Sequence, residues 1–322
     1  MGGIAALDLG TNNCRLLLAM PEGPAYRTIC SFSRLVRLGE GVNESGRLNE
    51  AAMERTVAAL SECAMKIQHF RPSHARYVAT AACRKANNAA QFVRHVKQTI
   101  GLDLEIISPR QEASLAMAAC FSVLDVRRSH ALILDIGGGS TEIVWVSLNM
   151  EGGSELIDWD SLPCGVVALA ERNSGHPKDL QSYKQVVKEV KELLMPFEAS
   201  NNISSEIAGG NVQMIGMSGT IATLSAIHLN LEKYDSERVD GIGISRKDVF
   251  NTIQKLKAEA HCNRVVHPCV RTGQEDLIIP GCAILQAILE TWPVGSVSVT
   301  NRSLSDGLVA SMLPVAASEN KE

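Results

Sequence analysis

The stretch that decides the fold of this chain is L-I-L-D-I-G-G-G-S-T-E-I-V-W-V, residues 132–146. Apolar and β-branched runs flank a glycine-rich turn, which predicts a buried strand, a tight hairpin turn and a second strand. Because Gly137, Gly138 and Gly139 have no Cβ, their backbone N–H groups can approach an anion closely, and Ser140 adds a hydroxyl donor. Asp135 ends the first strand, where a carboxylate can hold a divalent cation. Alone, the stretch also fits a plain structural turn.

The same pattern occurs a second time near the start of the chain. The segment L-D-L-G-T-N-N-C-R-L-L-L-A, residues 7–19, aligns without a gap on residues 134–146. Asp8 takes the place of the strand-ending aspartate, and Thr11 and Asn12 provide hydroxyl and amide groups in place of glycines. Internal similarity of this kind predicts two related domains, each opening with a phosphate-binding hairpin. We expect the two hairpins to hold one phosphorylated ligand from two sides of a cleft.

Length and composition indicate a globular protein of two α/β domains. The chain has 322 residues and a formal net charge of −4, which allows a sizeable core in each domain. We predict domains at residues 1–127 and 128–322, with packing of a terminal helix, about 303–318, against the first domain as an alternative.

No apolar run reaches the ~18 residues of a membrane span, and no signal peptide is evident, so a cytoplasmic protein is expected. The cysteines and histidines lack zinc-site spacing.

Three predicted strand-to-helix junctions carry further candidate residues. Arg84 follows a short strand, at a position where open α/β sheets bind ligands, and its guanidinium suits phosphate. Glu112 opens a helix after a Ser-Pro-Arg-Gln segment that resembles a helix cap, so it is either a first-turn acid stabilised by the helix dipole or a site residue. The residues Ser218, Gly219 and Thr220 form either an anion loop at a helix N-terminus or a packing contact.

Several motifs, in order across residues 5–310, make the chain resemble a known family. The matching segments are D-L-G-T-N-N from Asp8, A-T-A-A-C-R-K-A-x-N from Ala79, I-I-S-P-R-Q-E-A from Ile106, D-I-G-G-G-S-T-E from Asp135, G-M-S-G-T from Gly216 and P-G-C-A-I-L from Pro280. They are similar to the exopolyphosphatase / guanosine pentaphosphate phosphohydrolase family of the actin/hexokinase/heat-shock-chaperone superfamily. The resemblance implies an α/β fold of two duplicated ribonuclease-H-like, actin-like ATPase domains with an interdomain cleft, in a short two-domain form.

The resemblance also implies roles for individual residues. Glu112 matches the family's catalytic glutamate, which polarises the attacking water. Asp135 and Asp8 match acids associated with a divalent metal, which would be Mg²⁺ or Mn²⁺. The expected phosphate-binding residues are Asn12, Thr11, Arg84, Gly137, Gly138, Gly139, Ser140, Ser218, Gly219 and Thr220.

The activity implied is metal-dependent release of terminal orthophosphate from inorganic polyphosphate, with guanosine pentaphosphate as a second substrate, in the bacterial stringent response. The expected partners are these polyanions and, as an open alternative, a second copy of the chain in a homodimer; neither nucleic acid nor a membrane is expected. One alternative function is a kinase of the same superfamily. The other is a sensor that binds guanosine penta/tetraphosphate or polyphosphate and acts by domain closure.

The chain departs from the family pattern at three positions. Gln274, Ser305 and Ala168 stand where family members commonly have arginine. Loss of these cations would shorten the anion-binding track. It therefore favours a changed chain-length preference, a changed substrate, or the sensor alternative.

Overall fold

The structure of the protein is a computed structural model that describes residues 2–151, 153–172, 180–259 and 267–313. The strands are β1 Ile4–Leu9, β2 Asn13–Glu22, β3 Ala25–Leu35, β4 His74–Ala79, β5 Glu105–Ile106, β6 His130–Ile136, β7 Thr141–Leu148, β8 Ser154–Leu162, β9 Val212–Gly216, β10 Gly243–Ser245 and β11 Ser296–Val299. The helices are α1 Val42–Ser45, α2 Glu50–Phe70, α3 Ala81–Lys85, α4 Ala89–Ile100, α5 Pro109–Cys120, α6 Val166–Arg172, α7 Leu180–Asn201, α8 Ile203–Ala208, α9 Gly219–His228, α10 Ser236–Val239, α11 Arg246–Glu259, α12 Ile278–Thr291 and α13 Leu304–Met312.

The chain folds into two compact units. Unit 1 contains the residues up to Ala119 together with those from Ser303 onward, and unit 2 contains Cys120–Arg302. The sequence placed the first boundary after Arg127. The structure assigns the intervening segment to unit 2, where the backbone N–H of Asp125 donates to Gln213 Oε1 at 3.1 Å.

Unit 1 is built on a five-stranded sheet in the order β3-β2-β1-β4-β5. β1, β2 and β3 form an antiparallel meander, while β4 and β5 run parallel to β1. Neighbouring strand residues face opposite sides of a sheet, so Leu16 packs in the core beneath α2 and α4, and Leu17 packs in the core beneath α5 and α13. Both faces of this sheet are therefore covered.

Helix α13 returns from the end of the described chain to pack on unit 1. A Cβ added at Gly307 would lie 2.0 Å from the carbonyl oxygen of Leu115 in α5, so only glycine permits this approach. The hydroxyl of Tyr26 donates to Asp306 Oδ1 at 2.6 Å, which ties the helix to β3. Residues 314–318 of the predicted terminal helix lie outside the described residues.

Unit 2 repeats the topology of unit 1 on a six-stranded sheet, in the order β10-β11-β9-β6-β7-β8. β6, β7 and β8 form the antiparallel meander, and β9 and β11 continue the sheet in parallel; only β10 has no counterpart among the described strands of unit 1. Its core lies mainly between the sheet and helices α6, α7, α9 and α12. The predicted duplicated α/β fold is confirmed.

The two hairpins predicted from the sequence repeat are structurally equivalent. In unit 1 the N–H of Gly10 donates to the carbonyl of Asn13 at 2.9 Å, and in unit 2 the N–H of Gly137 donates to the carbonyl of Ser140 at 3.0 Å. These are the positions that the gapless alignment pairs. Within the described residues, no helix is long and apolar enough to cross a membrane.

Candidate active site

The glycine-rich hairpin of unit 2 is held by the start of helix α6. The first N–H groups of a helix have no partner within the helix. Here the N–H of Val166 donates to the carbonyl of Gly137 at 3.0 Å, and the N–H of Val167 donates to the carbonyl of Gly138 at 2.9 Å. The hairpin carbonyls are thus bound to unit 2 itself. These bonds fix the orientation of the two peptide groups, and the N–H of each peptide group points to the side opposite its bound carbonyl.

Two acidic residues face each other across this hairpin. Asp135 on β6 is the register partner of Glu142 on β7, so both side chains lie on one face of the sheet at the spacing of a cross-strand pair. Like charges in that arrangement repel unless something compensates them. In unit 1 the equivalent partner of Asp8 is Arg15, so the doubled acid distinguishes the second hairpin.

Glu142 is a further candidate site residue, and the sequence alone did not single it out. Its side chain is 3% exposed, and its Oε1 accepts hydrogen bonds from Ser140 Oγ at 2.6 Å and from Ser161 Oγ at 3.0 Å. A buried carboxylate held by hydroxyl donors is typical of functional sites. Glu142 could have been considered, because it lies in the quoted hairpin. Its hydrogen bond from Ser161 on β8 cannot be predicted from the local sequence.

The predicted loop at Ser218 serves the start of helix α9. Ser218 is the N-cap, and its Oγ accepts from the N–H of Ile221 at 3.2 Å. Thr220 is also buried, and its side chain lies directly against Gly281 of α12. Among the contacts of the described residues, this segment therefore makes a helix cap and a helix–helix packing contact. The phosphate role of Ser218, Gly219 and Thr220 stays a prediction.

The first hairpin places its predicted residues in a buried setting within unit 1. Asp8 is 8% exposed, and Thr11 and Asn12 are each 7% exposed. The carbonyl of Asn12 accepts from the N–H of Val36 at 2.9 Å, so the segment after β3 holds this hairpin as α6 holds the other. Asn12 Oδ1 is buried and accepts no hydrogen bond from the described residues. Such an atom is available to a ligand that carries a donor or to a cation.

Glu112 stands in the first turn of α5 but does not cap that helix. The reciprocal cap is made by Ser108 and Gln111: the N–H of Ser108 donates to Gln111 Oε1 at 2.8 Å, and the N–H of Gln111 donates to Ser108 Oγ at 3.3 Å. With Pro109 at the first helical position, this cap starts the helix at Pro109, three residues before Glu112. The carboxylate of Glu112 is therefore not required for the cap.

Glu112 instead forms an ion pair with Arg84. Arg84 Nη1 donates to Glu112 Oε2 at 2.6 Å and to the carbonyl of Ile107 at 3.1 Å. The two side chains are 17% and 11% exposed. The structure thus brings together two residues that the sequence selected separately and that lie 28 positions apart. The neighbouring Cys83 is no nucleophile candidate, because burial raises the pKa of its thiol to about 12.

A divalent metal is compatible with the carboxylates of both hairpins. No group of three or more His, Cys, Asp or Glu side chains among the described residues is arranged to hold a metal ion. Mg²⁺ does not need one, since it is commonly held by one or two carboxylates together with waters and substrate phosphates. The all-oxygen pair Asp135 and Glu142 fits that requirement, and Asp8 provides a single buried carboxylate.

Comparison with known proteins gives a consistent result along almost the whole chain. A sequence model described as the Ppx/GppA phosphatase family matches residues 22–316. A protein named exopolyphosphatase 2, from Mycobacterium tuberculosis, is 28% identical over 324 aligned residues, covering 96% of this chain and 98% of that protein.

Solved structures agree with these sequence matches. A crystal structure of the Aquifex aeolicus member of the Ppx/GppA family is 27% identical, covers 96% of this chain and 97% of its own, and has a TM-score of 0.76. A structure described as an exopolyphosphatase-like protein is 25% identical with the same coverage and a TM-score of 0.86.

Proposed function

The chain belongs to the Ppx/GppA phosphatase family, a family of hydrolases, and from that premise we propose that it releases terminal orthophosphate from inorganic polyphosphate. The observation that carries the proposal is the buried Glu112, left out of the helix cap and held by Arg84 at 2.6 Å. The relative named exopolyphosphatase 2 supports the choice of substrate.

Glu112 acts as the general base in this proposal. Its carboxylate accepts a proton from a water molecule while the water oxygen attacks the terminal phosphorus. The bond from phosphorus to the bridging oxygen breaks, which gives orthophosphate and a chain shorter by one phosphate. The N-terminal position of Glu112 in α5 favours its charged form, since the helix dipole stabilises acids in the first turn.

The hairpins hold the negatively charged terminal phosphates. We assign this role to Thr11 and Asn12 in unit 1 and to the backbone of Gly137–Ser140 in unit 2, because rigidly held donors stabilise phosphoryl transfer without rearrangement. The bonds from α6 to the carbonyls of Gly137 and Gly138 support that rigidity. Ser218, Gly219 and Thr220 are proposed to extend the phosphate-binding set.

Mg²⁺, or Mn²⁺ in its place, is the proposed cofactor. In unit 2 the proposed ligands are Asp135 and Glu142, and in unit 1 the proposed ligand is Asp8. When bound, such an ion neutralises phosphate oxygens and polarises the bond that breaks. The hydroxyls of Ser140 and Ser161 hold Glu142 in its orientation.

Guanosine pentaphosphate is a second proposed substrate, because the motifs of the chain resemble those of the exopolyphosphatase / guanosine pentaphosphate phosphohydrolase family. A sensor that binds without turnover is the competing function. It is supported by the absence of arginine at Gln274, Ser305 and Ala168. We also propose that the protein acts in the cytoplasm. A second, separate proposal is that two copies of the chain form a homodimer.

A substrate panel tests the proposed function. Purified protein is incubated with short polyphosphate, long polyphosphate, guanosine pentaphosphate or ATP, with Mg²⁺ or with a chelator, and orthophosphate is measured. We expect release from polyphosphate that requires Mg²⁺ and no comparable release from ATP. Tight binding of polyphosphate without any release in the presence of Mg²⁺ or Mn²⁺ would instead identify a sensor.

A further inference from the structure

We propose that Arg84 is the positioning residue of Glu112 rather than a primary ligand of the substrate phosphate. This inference rests on the proposed hydrolase function. It differs from the role that sequence resemblance gives to Arg84, which is to bind phosphate. The guanidinium fixes the carboxylate of Glu112 in its orientation and charge, so that Arg84 contributes to the reaction through Glu112.

The first support is the way in which Arg84 is anchored. Arg84 lies near the end of the short helix α3, and the carbonyl of Ile107 lies between β5 and α5. Through Nη1, the guanidinium binds this carbonyl at 3.1 Å and the carboxylate of Glu112 at 2.6 Å. One nitrogen thus joins α3, the start of the α5 segment and the base itself. All of these contacts lie within unit 1.

The second support is a count of the available protons. A guanidinium Nη carries two hydrogens, and both hydrogens of Arg84 Nη1 are used by Ile107 and Glu112. An end-on grip on phosphate through both Nη atoms would require Arg84 to release one of these acceptors. The edge of the guanidinium formed by Nε and Nη2 remains available to phosphate, because neither atom donates a hydrogen bond to the described residues. While the bonds to Ile107 and Glu112 are kept, a phosphate could therefore contact this side chain only along that edge.

The third support is burial. The side chains of Arg84 and Glu112 are 17% and 11% exposed, whereas those of the ion pair Arg34 and Glu62 in the same unit are 42% and 37% exposed. Exposed pairs are screened by water and hold their partners weakly. A shielded, charge-assisted bond restricts a carboxylate far more strongly. The pair thus has the environment that a fixed general base requires.

If Arg84 acts through Glu112, its substitution should lower kcat much more than it raises KM. We expect Arg84→Gln to lower kcat for phosphate release by about 100-fold, the effect of misplacing a reacting group by ~1 Å, with KM changed by less than about 3-fold. Arg84→Lys keeps a cation but not the planar fork, so it should recover part of kcat. In the Glu112→Gln background, Arg84→Gln should cause little further loss, because its effect passes through Glu112.

Arg34→Gln is the matched control. It removes an arginine from the exposed ion pair of unit 1, and its kcat and KM should equal those of the wild type. Circular dichroism and Tm of every variant establish that the loss in Arg84→Gln is not loss of fold. If Arg84→Gln does not fold, Arg84→Lys provides the same division of kcat and KM.

The test combines steady-state phosphate release with calorimetric binding of polyphosphate to Glu112→Gln and to the double variant. The inference is supported if the two variants bind polyphosphate with equal Kd and if Arg84→Gln lowers kcat only in the protein that keeps Glu112. A tenfold weaker Kd or higher KM, or an additive further loss in the double variant, would show a phosphate ligand and overturn it while leaving the hydrolase function intact. An inactive wild type on every substrate overturns both proposals.

Discussion

Gly165 lies so close to Gly138 that a Cβ built on Gly165 would be 2.5 Å from the carbonyl carbon and oxygen of Gly138. The contact joins the turn before α6 to the glycine-rich hairpin of unit 2, which we propose binds phosphate. Both sides of it are backbone, so a rotamer change cannot relieve a clash. The approach also brings the N–H groups of Val166 and Val167 within hydrogen-bond reach of the hairpin carbonyls.

Gly165→Ala is therefore predicted to displace the hairpin. Forcing atoms into a closed contact costs about 1–3 kcal/mol, and we expect the free energy of unfolding in urea to fall by that amount. Phosphate release should fall as well, because the donors of the hairpin move with its backbone. Gly295→Ala is the control, since no heavy atom lies within 4 Å of a Cβ at that position. Equal stability of the two variants would refute the role given to the contact.

The hairpins could be predicted from sequence because their information is local. Strand residues, the turn glycines and the gapless repeat of residues 7–19 on 134–146 all lie within short windows. The equivalence of the Gly10 and Gly137 turn bonds follows from that repeat. By contrast, the contact of Gly165 with Gly138 joins segments separated by two strands, β7 and β8, and no periodicity or propensity indicates it.

The hydrogen-bond partners of Glu112 and Glu142 could not be predicted from the sequence either. The Ser-x-x-Gln pattern could be recognised as a cap, yet it could not decide whether Gln111 or Glu112 completes it. The structure decides for Gln111, which leaves Glu112 for Arg84. Glu142 was missed because an acid inside a strand is expected to face solvent. Its burial becomes visible only when Ser161 on β8 pairs with it.

Ser161→Ala is predicted to weaken the binding of the proposed metal ion. Ser161 Oγ donates to Glu142 Oε1 at 3.0 Å and orients that proposed metal-holding carboxylate. Loss of an outer partner of a metal ligand typically costs about tenfold in metal affinity. We expect the Mg²⁺ concentration at half-maximal phosphate release to rise by about that factor.

Ser61→Ala provides the comparison for this variant. Its hydroxyl bonds only to the carbonyl of Val57 within α2 among the described contacts, so the Mg²⁺ dependence should equal that of the wild type. An unchanged Mg²⁺ requirement in Ser161→Ala would remove Glu142 from the metal site.

The protein is predicted to lose stability in alkali through its buried thiols. Burial raises the pKa of Cys282 from 9.0 to about 12. The unfolded thiol ionises above pH 9 while the folded thiol keeps its proton, so the folded state loses stability between those two values. From about pH 8 to about pH 10, this residue should remove roughly 1 kcal/mol. Urea unfolding of wild type and Cys282→Ala at both pH values measures the difference. Identical pH slopes would contradict the prediction.

The central claim is that Glu112 is the base that activates water for attack on a terminal phosphate. Its most direct measurement is the rate of orthophosphate release from polyphosphate by wild type, by Glu112→Gln and by the control Glu62→Gln, which removes the exposed carboxylate paired with Arg34. Loss of a general base costs about 10²–10⁴ in rate. We expect that loss for Glu112→Gln alone, with Tm and polyphosphate binding retained. Equal rates for Glu112→Gln and wild type would contradict it.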